Sequence, residues 1–431
     1  LYTIEKAEDA VAKIGEIYYK TLADAVAAAQ DGDTIVLLAD TSGSGVVINK
    51  DITIDFGGNT YTFTEGVGSS GTPSNGFQIL KGSNVTLKNG TLKVAEEAAS
   101  KFYILIQNYA DTLTVENMTL DGTYLDKWSK HADQITNGDS YVLSVNNGTT
   151  TIINTTIIAN NDGSKAFAFD SCDNTSYAGA PTVIVESGMI KGKIELTGDA
   201  KIAISGGTFT AKIAEAWCAD GLVPTVNADG TYTVMPEADA EAKIDGVYYT
   251  DFKKALEVAV PGDTVVLLKD YDYKTDHLKI EKAITLDLGG HTLTTRARNY
   301  GIALYNGASV TNGTLNHAGT VAAIKVWNAK EISNLKIDVT GTSSTGSTID
   351  GIVIQENAAG VDVIKNVDIY STAGQGVDSG IKTFNCGNAT SPVIGSMDNV
   401  TIDAKSVGMN ISAPCGTVTN STIKGGVSGI E

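Results

Sequence analysis

Few residues in this chain have the type and spacing to do chemistry. Its 431 residues include four histidines, His131, His277, His291 and His317. None stands at the HxxxH interval that would put two imidazoles on one helix face as metal ligands. The cysteines Cys172, Cys218, Cys386 and Cys415 are too far apart for CxxC redox or zinc chemistry. Cys386 and Cys415 fall at similar places in adjacent repeats, which leaves a disulfide between them open. The acidic turn DGDT (Asp31–Thr34) has the composition of a Ca²⁺ loop, but its recurrence in the chain argues for turn chemistry instead. The arginines, Arg296 and Arg298 in TTRARN, read as solvated residues of an edge loop. On this reading no catalytic group, metal or cofactor is expected. One segment offers a binding chemistry. DGTYLDKWSKHADQITNGDSY (Asp121–Tyr141) carries Tyr124, Trp128 and Tyr141, and aromatics on a protruding loop stack on sugar rings. These three are the candidate ligand-binding residues; the opposing reading folds the loop back and buries Trp128. Trp327, in VWN, reads as a packing residue.

The elements that must position such residues follow from composition. Only 19% of residues are charged and 7% aromatic, while 46 are glycine, a mixture suited to many short strands and tight turns. The formal charge of −19 repels nucleic acid and anionic lipid, and no apolar run reaches the ~20 residues of a membrane span, so neither nucleic acid nor membrane insertion is expected.

The chain writes one phrase twice. AKIGEIYYKTLADAVAAAQDGDTIVLLAD (Ala12–Asp40) aligns without gaps to AKIDGVYYTDFKKALEVAVPGDTVVLLKD (Ala242–Asp270). In each copy apolar residues recur at i, i+3, i+4 and i+7 (Leu22, Ala25, Val26, Ala29; Phe252, Ala255, Leu256, Ala259), which predicts a short amphipathic capping helix. Gly32 or Gly262 stops it, a buried strand follows, and a Gly-Gly turn comes after the next strand. A finer repeat then begins. Segments such as VTLKNGTL, LTVENMTL and TTIINTTI in the first copy and DVIKNVDI in the second place an Asn between two apolar positions, and in the second copy these asparagines recur every 21 to 33 residues. Two or three short strands per unit at that spacing predict the coils of a parallel β-helix. Asn tolerates the left-handed conformation of a sharp bend. Stacked coils would align Asn89, Asn117, Asn154, Asn312, Asn334, Asn366, Asn399 and Asn420 as a structural ladder serving buried turn backbone. Glycosylation at Asn117, Asn154, Asn399 and Asn420 is the rival reading, and the coil period of these sites favours the ladder.

The fold class expected is therefore all-β, a right-handed parallel β-helix solenoid in two tandem modules, each with an N-terminal capping helix. Residues 1–11 read as the tail of a preceding module. Residues 12–234 form module 1 with a closing helix and hairpin, 235–241 an acidic linker, and 242–431 a module 2 that is incomplete at its C-terminus. Because LYTIEKAEDAVAKI aligns with TYTVMPEADAEAKI at the same 230-residue offset, the chain reads as an excerpt of a longer tandem array.

The combination of YYKTLADAVAAAQDGDTIVLL, the GGNT or GGHT turn, and GGTF…CADG…NADGTYTV resembles repeat modules of large secreted or wall-attached bacterial proteins. They belong to the pectin-lyase-like, right-handed β-helix group and are often adhesin-like. The resemblance implies an extracellular or cell-surface setting. It also implies a non-catalytic stalk, monomeric within its array, whose partner is a host or microbial glycan or a surface protein. The group also contains polysaccharide lyases, which hold Ca²⁺ with clustered carboxylates beside a proton-abstracting Lys or Arg, and hydrolases with paired carboxylates in NTD, DD and GHG strings. None of those strings occurs here. A carbohydrate-active enzyme is the alternative reading, and a purely structural spacer the third.

Overall fold

The computed structural model describes residues 10–68, 74–126, 140–160, 166–173, 179–274, 276–341, 349–355, 359–373, 376–384, 386 and 389–431. The protein is all-β, with 57% of residues in strands and 7% in helices, and its sheets are rich in parallel pairs. Backbone contacts divide it into two compact units, Leu1–Ala238 and Asp239–Glu431.

Each unit opens with the duplicated phrase, and the two copies fold alike. In unit 1 the strand Ala12–Ile14 pairs antiparallel with Ile17–Tyr19 and with Thr34–Leu37. In unit 2 Ala242–Ile244 does the same with Val247–Tyr249 and Thr264–Leu267. Between them lie the helices Leu22–Ala28 and Phe252–Val258. Thr21 Oγ1 caps the first helix by accepting the Asp24 N–H at 3.0 Å. Asp251 caps the second by accepting from the N–H groups of Lys253 and Lys254. The apolar stripe supplies the buried faces, Leu22, Ala25 and Val26 in one copy and Phe252 and Ala255 in the other. Asp40 and Asp270, which end the phrase, accept the N–H of Thr60 and Thr292 in the following turn. The carboxylates of Asp33 and Asp263 likewise accept backbone N–H groups from Gln30 and Val260.

The C-terminal ends of these helices are satisfied from outside. Lys50 Nζ donates to the carbonyls of Val26, Ala27 and Ala29 at 2.6–3.1 Å. Lys282 Nζ donates to those of Glu257 and Ala259 at 2.6 and 2.7 Å. Each ammonium meets carbonyls that the helix leaves unpaired at its negative end. Lys282→Met, which keeps the stem and removes the charge, is expected to cost about 1–2 kcal/mol. Lys330→Met, on an exposed lysine, is expected to stay within about 0.5 kcal/mol. Urea denaturation of the two variants checks this.

Beyond each cap the chain visits three parallel ladders in rotation. In unit 1 the first ladder runs Thr34–Leu37, Ile52–Asp55, then the N-terminal halves of Asn84–Val94 and Thr112–Asp121, then Thr149–Ile153, Thr182–Val185 and Lys201–Ile204. The second begins Thr41–Ser44 and Thr60–Glu65, takes the C-terminal halves of the same two long strands, and continues through Thr155–Ile158 and Gly188–Lys191 to Thr208–Phe209. The third comprises Val46–Ile48, Asn75–Ile79, Ile104–Asn108, Ser140–Val145, Ala166–Cys172 and Lys193–Thr197. Unit 2 repeats the scheme, and its third ladder is Leu278–Ile280, Tyr300–Leu304, Ala322–Val326, Asp350–Ile354, Ser379–Thr383, Val407–Asn410 and Ser428–Ile430. Among the described residues no ladder closes on itself. First-ladder strands alternate buried and half-buried residues, whereas Ile104–Asn108, Ala322–Val326 and Asp350–Ile354 are buried at every position. Each unit has its own apolar core, with Phe56, Phe63, Phe77 and Phe102 in unit 1 and Leu286, Val310, Ile332, Ile364 and Met397 in unit 2.

The predicted asparagines mark the corner between the first and second ladders. All eight have φ between 44° and 61°, the left-handed region that costs other side chains roughly 1–2 kcal/mol. Their amides do form ladders. Asn154 donates to Asn117, Asn117 to Asn89 and Asn89 to Asp55 in unit 1. In unit 2 Asn399 donates to Asn366 and Asn366 to Asn334. Asn312 and Asn420 donate instead to Asp287 and Asp398. One part of the expectation is corrected. The ladder lies on the surface rather than over buried backbone, because the amides point outward from the corner and bond one another. Asn366→Ala is therefore expected to cost about 1–2 kcal/mol through backbone strain and lost bonds. Asn366→Gly, which tolerates the same φ, is expected to cost about 1 kcal/mol less. Equal melting temperatures for the two variants would show that the left-handed corner is not what Asn366 provides.

Two boundaries differ from the sequence reading. The closing helix of module 1 is one 3-10 turn, Glu215–Trp217, followed by the hairpin Leu222–Val226 and Tyr232–Pro236. Residues 235–241 are not a free linker. Met235 pairs with Val223 inside that hairpin, and Glu237–Asp239 forms another 3-10 turn.

Candidate functional site

The residues proposed from sequence are placed as follows. Tyr124 is exposed, and its hydroxyl donates to Glu96 at 3.2 Å. Tyr141 lies on a third-ladder strand, stacked on Phe167 with its hydroxyl 2.8 Å from Glu195. Trp128 and His131 lie outside the described residues. None of the four cysteines is in a disulfide; Cys386 is buried, its thiol donating to backbone carbonyls that include that of Gln355. Among the described residues no three His, Cys, Asp or Glu side chains gather as they would around a metal ion.

The third ladder carries the chemistry that the sequence reading missed. In unit 1 its outward row runs Gln78, Gln107, Ser144, Asp170 and Glu195, in register on successive strands. The middle of this row is a polar network. Gln107 Nε2 donates to Ser144 Oγ and Asn146 Oδ1, and Ser144 Oγ and the Val145 N–H donate to Asp170. Burial pushes the Asp170 carboxyl up to about 7, against the hydrogen bonds that favour its charge.

The same face in unit 2 carries a row of lysines and small apolar residues, buried at its centre, with aromatics beside it. Lys279, Ala303, Lys325, Val353, Lys382 and Asn410 are in register across six strands. Two residues further along, just past the end of each strand, stand Tyr305, Trp327, Gln355 and Phe384. The backbone keeps that row aligned, since the N–H groups of Trp327, Gln355 and Phe384 donate to Leu304, Val326 and Ile354. Tyr305 and Trp327 are stacked, with centroids 5.9 Å apart and planes within 13°. Trp327 is 36% exposed and Phe384 45%.

Behind the aromatic row lies a polar set. Lys325, only 3% exposed, donates from Nζ to the Tyr300 hydroxyl at 3.1 Å. The same ammonium lies 4.5 Å from the Tyr300 ring centroid and 5.7 Å from that of Phe384. Asp350 is buried, with Lys382 Nζ 3.5 Å from one carboxylate oxygen and the Ser379 N–H on the other. Burial raises its carboxyl above the usual range, Lys382 opposes this, and Asp378 adds to it. Asp350 and Lys382 thus hold each other, which leaves neither as a free acid or base. A signal for this row does exist in the sequence: ALYN, KVWN and KTFN each end a repeat strand with an aromatic followed by Asn.

No protein-family model matches the sequence, and no curated protein does.

Proposed function

We propose that this chain is a non-catalytic, extracellular bacterial repeat protein that binds glycan. In this reading each unit is a right-handed parallel β-helix of the pectin-lyase-like kind, and the third ladder of unit 2 is the binding wall. Rotation of the chain through three parallel ladders, with left-handed Asn at one corner, supports the solenoid. The row of half-buried Tyr305 with exposed Trp327 and Phe384, at the edge of a rigid ladder, is the single observation that carries the binding function. Flat aromatic faces fixed by backbone register match the apolar faces of pyranose rings and lose little side-chain entropy on contact. No helix among the described residues is long and apolar enough to cross a membrane. A catalytic reading would need an unpaired acid–base group beside the aromatics, and the Asp350–Lys382 pair does not supply one.

The test is a glycan array probed with the 431-residue chain and its Trp327→Ala variant. Selective binding is expected, weakened at least about tenfold in the variant, which corresponds to ~1.4 kcal/mol. Binding that Trp327→Ala leaves unchanged would remove the site. An absence of any glycan binding would favour the spacer.

A further inference from the structure

We propose that Lys382 and Asp350 of unit 2 join in an isopeptide bond, a covalent bridge that the chain forms by itself between two successive strands of its third ladder. Such a bridge is independent of the glycan-binding reading. Asp350 opens the strand Asp350–Ile354, and Lys382 lies on the next, Ser379–Thr383. Lys382 Nζ stands 3.5 Å from Asp350 Oδ2. Burial sets this pair apart. In Lys88–Asp55, Lys101–Glu65, Lys254–Glu257 and Lys365–Glu331 the carboxylate is 24–70% exposed, whereas that of Asp350 is 7% exposed. The residues that flank the pair, Ile349, Val377 and Ser379, are buried. A buried ion pair gains little from its charges, because taking both out of water costs about as much as their attraction returns. Conversion to a neutral amide removes that cost and keeps the contact.

The neighbouring groups fit the reaction. The Ser379 N–H donates to Asp350 Oδ1 at 3.2 Å and polarises the carbonyl that is attacked. Burial favours the protonated form of the Asp350 carboxyl, and Asp378 adds to this. Asp378 is anchored beside the pair. Its N–H donates to the Ile349 carbonyl at 2.9 Å, and its Oδ1 accepts from the Ser406 hydroxyl at 2.7 Å. In the step, the neutral Lys382 amine attacks Cγ of the protonated Asp350. An Nζ–Cγ bond forms and the Cγ–OH bond breaks. Asp378 carries an amine proton to the leaving hydroxyl, which departs as water. Nothing is oxidised or reduced, and no co-reactant is consumed. The amine closes from its 3.5 Å contact to the ~1.3 Å of an amide bond, a movement that the flexible lysine stem allows. Because the fold holds both groups in place, the condensation is intramolecular. The bridge closes a loop from Asp350 to Lys382 and so restrains the unfolded chain. Asp350 titrates only in the unreacted chain.

The experiment is intact mass spectrometry of the purified 431-residue chain, fresh and after prolonged incubation in native buffer, followed by protease digestion. The chain is expected to be lighter than its sequence by one water, with a peptide containing Lys382 joined to one containing Asp350. Lys382→Arg, which keeps the charge but has no primary amine, is expected to show the full sequence mass. Asp378→Asn is expected to lose the water at least about tenfold more slowly. A full sequence mass in the wild type after incubation overturns the proposal and needs no variant to be folded. A loss of water that persists in Lys382→Arg also overturns it, since that loss belongs to a succinimide formed by the Gly351 nitrogen on Asp350. Either result leaves the glycan-binding reading untouched.

Discussion

Replacing Phe63 by alanine is expected to cost about 3–5 kcal/mol, the largest effect of any single truncation considered. Phe63 is fully buried on a second-ladder strand of unit 1. Its ring meets Tyr61 and Phe77 edge-on at 5.1 and 5.0 Å and Phe102 at 6.2 Å. The backbone is fitted to it so closely that a Cβ on Gly76 would fall 2.7 Å from its ring. Backbone hydrogen bonds hold the surrounding strands, so the cavity cannot collapse without breaking a ladder. Chemical denaturation with hydrogen exchange should show the loss within residues 10–238. A cost below about 1 kcal/mol would mean that this aromatic cluster is loosely packed.

Acidification is expected to weaken unit 2 through His317. This ring is fully buried; its Nδ1 lies 3.0 Å from Thr295 Oγ1, and its Nε2 has no hydrogen-bond partner. Burial lowers its pKa from 6.5 to about 4. The folded-state value lies below the unfolded one, so the neutral ring is the folded form. Its contribution is full above pH 6.5 and is lost as pH falls toward 4. At about 1.4 kcal/mol per pH unit the loss is roughly 3 kcal/mol. Two carboxyls act the other way. Asp170 in unit 1, raised to about 7, and Asp350 in unit 2, raised by burial, both favour the folded state on protonation. Unit 1 is therefore expected to gain stability over the range in which His317 costs unit 2. Comparing wild type with His317→Leu at pH 6.5 and 4 isolates the histidine. An identical pH dependence in both proteins would refute its role.

The parts of this fold that were legible in sequence are those where one residue type is physically required. Asn at a left-handed corner, Thr or Asp at a helix start, and Gly in a turn such as Gly289, with φ 60°, have few substitutes. The duplicated phrase was readable for the same reason, since its aspartates and apolar stripe each satisfy a local need. Lys50 and Lys282 were not legible. A lysine after a strand reads as a solvated charge, and only the fold brings it under a helix 21–25 residues earlier. The aromatic row was missed because a lone Trp327 in VWN fits a packing role. Its partners Tyr305 and Phe384 become neighbours only through the register of successive strands. The lysine row needed both register and burial, which local sequence does not encode.

The central claim is that the unit 2 wall binds glycan without cleaving it. The most direct measurement is mass spectrometry of the best array-selected oligosaccharide after prolonged incubation with the 431-residue chain at saturating concentration. The account predicts that the sugar is recovered intact, in full amount, from a complex that Trp327→Ala fails to form. Fragments bearing an added water or a new double bond, and missing from a Trp327→Ala control, would contradict it and identify the wall as a hydrolase or lyase site.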